Sequence, residues 1–257
     1  MSAPSDTENG RSVALSAAGS WLREIAIVVV GALVASTLLR LFVAQMFVIP
    51  SGSMENTLLV SDRVAVQKIA GYSRGDIVVF RDTLGWLAPA RVEEDPVKRA
   101  LVFVGLAPDE SSNHLIKRVV GIAGDHVTCC DARGRVTVNG TALNEGDYLY
   151  ADPTTGKQVE PSSVAFDVVV PAATVFVMGD HRNDSADSRC HLSDDPEGGP
   201  PGSKAFIPVG NIVGTSIAVV YPFSRFHGLS RPRTFENLPA GGTPPSAPVL
   251  TGPKVVC

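Results

Sequence analysis

Two segments of this 257-residue chain contain the residue types needed for nucleophilic catalysis. Ser51 and Ser53 lie in the segment from Pro50 to Met54, and Lys117 lies inside the apolar run from Leu115 to Gly121. A serine hydroxyl is a poor nucleophile until a neighbouring base takes its proton. A neutral lysine can be that base, whereas arginine stays protonated at any working pH. The two segments therefore predict a serine nucleophile served by a lysine base.

A lysine base must lose its charge, and the residues around Lys117 favour that loss. The ordinary lysine pKa is about 10.4 and must fall by about 3 for the amine to be largely neutral near pH 7. Burial among apolar groups lowers a lysine pKa by an amount of that order. In a strand, Leu115, Lys117 and Val119 share one face, and the alternate residues are also mainly apolar. Lys117 therefore has apolar neighbours whichever face is buried.

A second serine, Ser73, offers an alternative nucleophile. It lies in a Gly-x-Ser-x-Gly sequence, residues 71–75, which is the pattern of the α/β-hydrolase nucleophile elbow. That elbow requires a strand before the serine and a helix after it. A strand-like run, residues 76–80, follows instead, so Ser73 is predicted to lie in a turn.

A dense polar segment, residues 178–189, follows an apolar run and predicts a loop that orients a site. It contains Ser185, Asp187 and Arg189. The alternative is a solvated turn in which Asp187 and Arg189 form only a local ion pair. His181 in the same segment could suggest a Ser-His-Asp triad, but a lysine base makes a histidine base unnecessary.

The elements that must position these residues are predicted to be strands. Short β-branched runs recur between turn signals and indicate a mainly β domain: residues 63–66, 76–80, 115–120, 135–138, 168–170, 175–178 and 212–220. Asn139-Gly140 supplies the positive φ of a tight hairpin turn. Residues 84–112 and 141–165 are expected to be irregular insertions.

The N-terminal part changes character near residue 21. Residues 1–20 are small and polar, which predicts a flexible tail. Residues 25–39 are uncharged and almost wholly apolar, and counting on through Arg40, which can snorkel, brings the segment to the roughly 20 residues of a membrane span. The prediction is a transmembrane anchor over 21–44; a cleaved signal peptide is the alternative. The lack of a convincing cleavage site before Ser53 favours the anchor.

Composition excludes some functions and leaves others open. The net charge is −4 and no basic stripe with interleaved aromatics is present, so no nucleic-acid partner is expected. No Cys-x-x-Cys spacing occurs among the four cysteines, which disfavours zinc and redox sites. In an oxidising compartment, Cys190 could pair with Cys129 or Cys130. Residues 231–257 are rich in Pro and Gly and are predicted to be disordered.

These clusters, in this order and behind an apolar segment, resemble the type I signal peptidases (leader peptidases) of bacteria. Residues 50–54 resemble the family's nucleophile box, residues 74–78 a structural box, and residues 117–125 the general-base box. The resemblance implies Ser53 as nucleophile and Lys117 as base, with the Ser51 hydroxyl and the Ser53 N–H forming the oxyanion hole.

The same resemblance assigns supporting roles and marks three departures. Ser185 is similar to the serine that hydrogen-bonds the lysine amine, and Asp187 and Arg189 match a supporting ion pair. Ile49, Met54 and Ile116 would line a shallow substrate pocket. The departures from the family pattern are Asn56 and Ala123, where the family usually or often has proline, and Leu115, where an aromatic residue is common.

The resemblance also implies an architecture and a substrate. The fold would be mainly antiparallel β-sheet, with a transmembrane helix (21–44) and a peptidase domain outside the cytoplasm (45–230). To these, composition adds a flexible cytoplasmic tail (1–20) and a disordered tail (231–257). Exported preproteins with signal peptides would be the substrates and the lipid bilayer a partner, with no cofactor and no metal. The alternative is a catalytically inactive, membrane-tethered β-domain that binds exported chains.

Overall fold

The computed structural model describes residues 21, 23–38, 43–88, 95–97, 113–194, 198–255 and 257. The predicted tail over 1–20 and most of the insertion over 84–112 lie outside these residues. Residues 23–38 are helical. Within the described part of the chain, no helix combines the length and the apolar character that a membrane crossing requires.

The rest of the chain is built from short strands. In chain order they are β1 (Ala44–Val48), β2 (Arg63–Gln67), β3 (Ile77–Arg81), β4 (His114–Ile122), β5 (His126–Cys129), β6 (Thr137–Val138), β7 (Thr141–Ala142), β8 (Phe166–Val169), β9 (Thr174–Met178), β10 (Ile207–Pro208), β11 (Ile212–Tyr221), β12 (His227–Gly228) and β13 (Val249–Leu250). Short 3-10 helices cover Gly52–Met54, Ser203–Ala205, Val209–Asn211, Phe223–Arg225 and Arg233–Phe235. The prediction of a mainly β domain is confirmed.

The strands form two antiparallel sheets. The larger has the order β1-β2-β11-β3-β4-β9-β10, with β12 paired to β11, and the smaller has the order β13-β8-β5-β6-β7. The sequence of β3 is apolar without alternation because both of its faces are buried. Ile77 and Val79 lie in one core cluster, while Val78 and Phe80 lie in another. Because β3 is buried on both faces, its neighbour β4 lies deep in the domain and carries Lys117 with it.

The C-terminal segment is ordered, and the prediction of a disordered tail over 231–257 is wrong for the residues described. Phe235 and Val255 are buried in the core cluster that also contains β5 and β8 residues, and β13 pairs with β8. Gly242 N donates a hydrogen bond of 2.9 Å to Gly124 O. At Gly241 and Gly252 a Cβ would collide with the backbone of Gly124 and Asp167, so these glycines allow the segment to approach the domain closely, and its few apolar residues anchor it.

The cysteines pair differently from the expectation. Cys190 is bonded to Cys257, 67 residues away, with 5.3 Å between the Cα atoms. Cys129 is bonded to its neighbour Cys130. The sequence could not show that the last residue of the chain returns to residue 190, because that approach depends on the path of the whole C-terminal segment.

Candidate active site

The proposed nucleophile lies on a short turn that follows β1. Ser53 and Met54 are buried within the 3-10 helix Gly52–Met54. Ser51 precedes this helix with extended backbone, and its side chain makes no capping hydrogen bond. The first N–H groups of a helix have no acceptor within the helix. The Ser51 hydroxyl and the Ser53 N–H therefore lie on one turn as two donors that the turn itself does not use.

Lys117 reaches this turn from the middle of the larger sheet. It lies on β4 directly opposite Val78 of β3, and it is only 2% exposed. Its Nζ atom lies 2.5 Å from Ser53 Oγ and is hydrogen-bonded to it, although the residues are 64 apart in sequence. The structure thus brings together the serine and the lysine that the sequence paired.

The surroundings of Lys117 lower the pKa of its amine. Burial lowers this pKa from 10.5 to about 8, against the opposing effect of the negative charges of Asp187 and Asp180. The positive charge of Arg189 acts in the same direction as burial. An amine with a pKa near 8 is substantially neutral in mildly alkaline solution, which is the form that can accept a proton.

Asp187 is the hydrogen-bonding centre of the loop from residue 179 to residue 189, the site loop. Its Oδ2 accepts hydrogen bonds from Gly179 N (2.9 Å) and Ser185 Oγ (2.8 Å), and Arg189 donates to both carboxylate oxygens at 2.8 Å. Burial acts to raise the pKa of the Asp187 carboxyl, but Arg189 and the hydrogen bonds outweigh it and the pKa lies below its ordinary value. The expected Asp187–Arg189 ion pair is therefore present and buried.

Ser185 contacts the site by a different route from the one expected. Its hydroxyl donates to Asp187, whereas the Lys117 amine is hydrogen-bonded to Ser53. The same hydroxyl lies against Gly179, where an added Cβ would collide with Ser185 Oγ and with the backbone oxygen of Ser53. Ser185 therefore packs between the Asp187 carboxylate and the nucleophile turn, and Gly179 leaves the space for that contact.

Sequence reasoning missed a buried ion pair directly beside the lysine. Arg118 donates to both oxygens of Asp180, at 2.8 Å and 2.5 Å, and also to Gly75 O at 2.7 Å. Thr57 Oγ1 donates to the same Asp180 carboxylate at 2.6 Å. An arginine inside an apolar run was the available signal, because a buried guanidinium requires a carboxylate partner.

A second missed pair supports the other side of the site loop. Arg182 Nη2 and Glu145 Oε1 are 2.5 Å apart, and Tyr148 Oη donates to the same oxygen at 2.6 Å. Arg182 Nε also donates to Gly179 O at 2.8 Å. No pattern of spacing connects residues 145 and 182, so this pair could be found only in the fold.

A groove of about 560 Å³ lies beside the nucleophile turn. Ile49 and Ile116, which were expected to line a substrate pocket, are among its lining residues, together with Pro50 and much of β1. Met54 is fully buried in the core cluster that also holds Ile49 and Ile116 and is not among the residues that line this groove, so its contact with substrate stays a prediction.

Ser73 lies in a turn, as predicted. Asp76 N donates to Ser73 O at 3.1 Å, and Ser73 N donates to the Asp76 carboxylate at 2.7 Å. Strand β3 begins at Ile77, where a nucleophile elbow would require a helix. The alternative in which Ser73 is the nucleophile of an α/β-hydrolase elbow is thereby excluded.

Comparison with known proteins gives a consistent result. Residues 21–221 match the family model described as signal peptidase, peptidase S26. The signal peptidase I of Mycobacterium tuberculosis is 38% identical over 232 residues, covering 80% of this chain and 75% of that protein. The probable signal peptidase I of Mycobacterium leprae is 35% identical over 239 residues, covering 82% and 80%. A solved signal peptidase I from Enterococcus faecalis V583 overlaps only weakly, with a TM-score of 0.35 and 22% identity over 57% of this chain and 97% of that one.

Proposed function

The chain belongs to the signal peptidase family, peptidase S26, and we propose that it carries out that family's reaction with Ser53 as nucleophile and Lys117 as general base. It is a serine endopeptidase whose function is the removal of signal peptides from preproteins. The observation that supports the assignment of the two residues is the buried 2.5 Å contact between Lys117 Nζ and Ser53 Oγ. No other described serine has a buried lysine as its partner.

The reaction follows from this geometry. Neutral Lys117 takes the Ser53 proton while Ser53 Oγ bonds to the carbonyl carbon of the scissile peptide. The Ser51 hydroxyl and the Ser53 N–H donate to the oxygen that becomes negative, which is often the largest contribution to catalysis. Protonated Lys117 then gives its proton to the leaving amine as the C–N bond breaks, and water hydrolyses the acyl-enzyme with Lys117 again as base.

The substrate is proposed to bind as an added strand beside the groove. Strand β1 is the terminal strand of the larger sheet, and it contributes much of the groove lining. Strand addition gives affinity through the backbone and reads only alternate side chains. Ile49 and Ile116 would then contact the small residues at the first and third positions before the cleaved bond.

The chain is proposed to act at a membrane, with residues 21–44 as anchor and the peptidase domain outside the cytoplasm. The support is the apolar segment before β1 and the helical state of residues 23–38. Protease added to intact spheroplasts should digest the domain; full protection of the domain would contradict this placement.

The assignment is tested with purified full-length protein and a preprotein in detergent, followed by sequencing of any new N-terminus. Wild type should cut after the signal peptide, and Ser53→Ala should not, while keeping its thermal unfolding temperature. Ser73→Ala is the matched control and should cut at the wild-type rate. A wild-type protein that binds the preprotein without cutting it would favour the inactive, membrane-tethered β-domain instead.

A further inference from the structure

The nucleophile turn is held against two successive residues of the site loop, Asp180 and His181. His181 N donates to Ser53 O at 3.1 Å, and Thr57 Oγ1 donates to Asp180 Oδ2 at 2.6 Å. Between these two contacts, the imidazole Nδ1 of His181 lies 3.2 Å from Glu55 Oε2. The nucleophile turn, taken here as residues 52–57, therefore contacts Asp180 and His181 through Ser53, Glu55 and Thr57.

The turn needs such ties because its backbone is not in a relaxed conformation. Asn56 has a φ of 84°, in the left-handed region that non-glycine residues seldom occupy, although asparagine tolerates it better than most. Residues in sparsely populated conformations persist when the surrounding structure fixes them. The two neighbours of Asn56, Glu55 and Thr57, supply that constraint through their side chains.

The His181 ring is itself held in one orientation. It stacks on Tyr150 with 3.7 Å between ring centroids, and its side chain is 13% exposed. Its Nδ1 atom is buried and makes no well-aligned hydrogen bond to a described residue. The nearest carboxylates are those of Glu55, at 3.2 Å and 30% exposed, and Asp184, at 4.0 Å and 69% exposed. Glu55 is both closer and better shielded from water, so it is the principal partner.

We propose that Glu55 and His181 are a positioning pair that holds Ser53 Oγ in line with Lys117. The proposal rests on the proposed function, in which Ser53 is the nucleophile. Neither side chain takes the serine proton, because Ser53 Oγ is hydrogen-bonded to Lys117. Their effect is on the orientation of the turn, and a displacement of about 1 Å at a reacting group can cost about 100-fold in rate.

The test is a double-mutant cycle on the full-length protein with a peptide that spans a signal-peptide cleavage site. Glu55→Gln and His181→Gln should each lower kcat about 10-fold and change KM less than about 2-fold. Both variants keep the backbone bond from residue 181 to Ser53 O, so the cycle isolates the side chains. The double variant Glu55→Gln/His181→Gln should lose no more than about 20-fold in kcat, because the effects of two residues that act through one contact are not additive.

A rescue variant separates positioning from general loss of structure. His181→Arg keeps N–H donors for Glu55 and a planar group that stacks on Tyr150, so it should recover most of kcat. Asp167→Asn is the matched control: it removes a carboxylate of an exposed pair with His126, 2.7 Å apart on the smaller sheet, and it should leave kcat unchanged. Thermal unfolding confirms that every variant is folded at the assay temperature.

The outcomes distinguish this proposal from the assignment of the nucleophile. Unchanged kcat in Glu55→Gln, or losses that multiply to about 100-fold in the double variant, would overturn the positioning pair while an inactive Ser53→Ala upholds the nucleophile. An active Ser53→Ala would instead overturn the proposed function.

Discussion

At the scale of single residues, Lys117 shows how two opposing electrostatic effects are balanced. Burial in the sheet removes water from the amine and lowers its pKa, while Asp187 and Asp180 raise it. Each of these carboxylates has its own arginine, Arg189 and Arg118. Arg189 acts with burial to lower the pKa of the amine, burial is the largest effect, and the pKa is about 8.

The pH dependence of cleavage should follow this amine. Because the working form of Lys117 is neutral, kcat/KM should rise as the pH increases through about 8 and level off at higher pH. Well below pH 8, kcat/KM should fall about tenfold for each pH unit. Lys117→Arg should be as inactive as Lys117→Ala, since guanidinium keeps its proton. Rates measured between about pH 6 and 10 test this.

The control for this experiment is Lys157→Arg, which changes an exposed lysine and should leave both the rate and the pH profile unaltered. A flat profile, or an Lys117→Arg variant that cuts preproteins, would show that another group takes the serine proton.

At the scale of elements, the strands could be predicted because their signal is local. β-branched residues between turn residues located β3 to within one residue and β11 to within one residue of its end. The same local reasoning found Lys117, because a lysine within an apolar run is unusual whatever its partner, whereas Ser53 was chosen over Ser51 by the family resemblance. The burial of β3 on both faces is also indicated by its sequence, in which four apolar residues follow one another.

Contacts that depend on how loops meet could not be predicted in this way. Glu145 comes from an irregular segment and reaches Arg182 across 37 residues, and Ser185 bonds to Asp187 rather than to the lysine amine. The family resemblance placed Met54 in the pocket, whereas the 3-10 helix turns its side chain into the core. In each case the direction of a side chain was decided by tertiary packing, which sequence spacing does not encode.

At the scale of the whole molecule, the C-terminal segment connects distant parts of the domain. It pairs with β8 through β13, and its last residue is bonded to Cys190, directly after the Asp187–Arg189 pair. Cys190 N donates to Asp187 O at 2.9 Å. The segment that composition marked as disordered is therefore bonded directly beside the site loop.

Removal of this bond should reduce stability more than activity. A disulfide that closes a loop of 67 residues restricts the unfolded chain and contributes about 2 to 4 kcal/mol, so Cys257→Ser should lower Tm by about 5 to 15 °C. The rate at 25 °C should change little, because Asp187 and Arg189 keep their own hydrogen bonds. Adding a reductant to wild type should lower Tm to the value of Cys257→Ser. The variant itself retains only the Cys129–Cys130 pair, so its Tm should barely change.

If the reductant lowers the Tm of Cys257→Ser as much as that of wild type, the stabilising bond is not Cys190–Cys257.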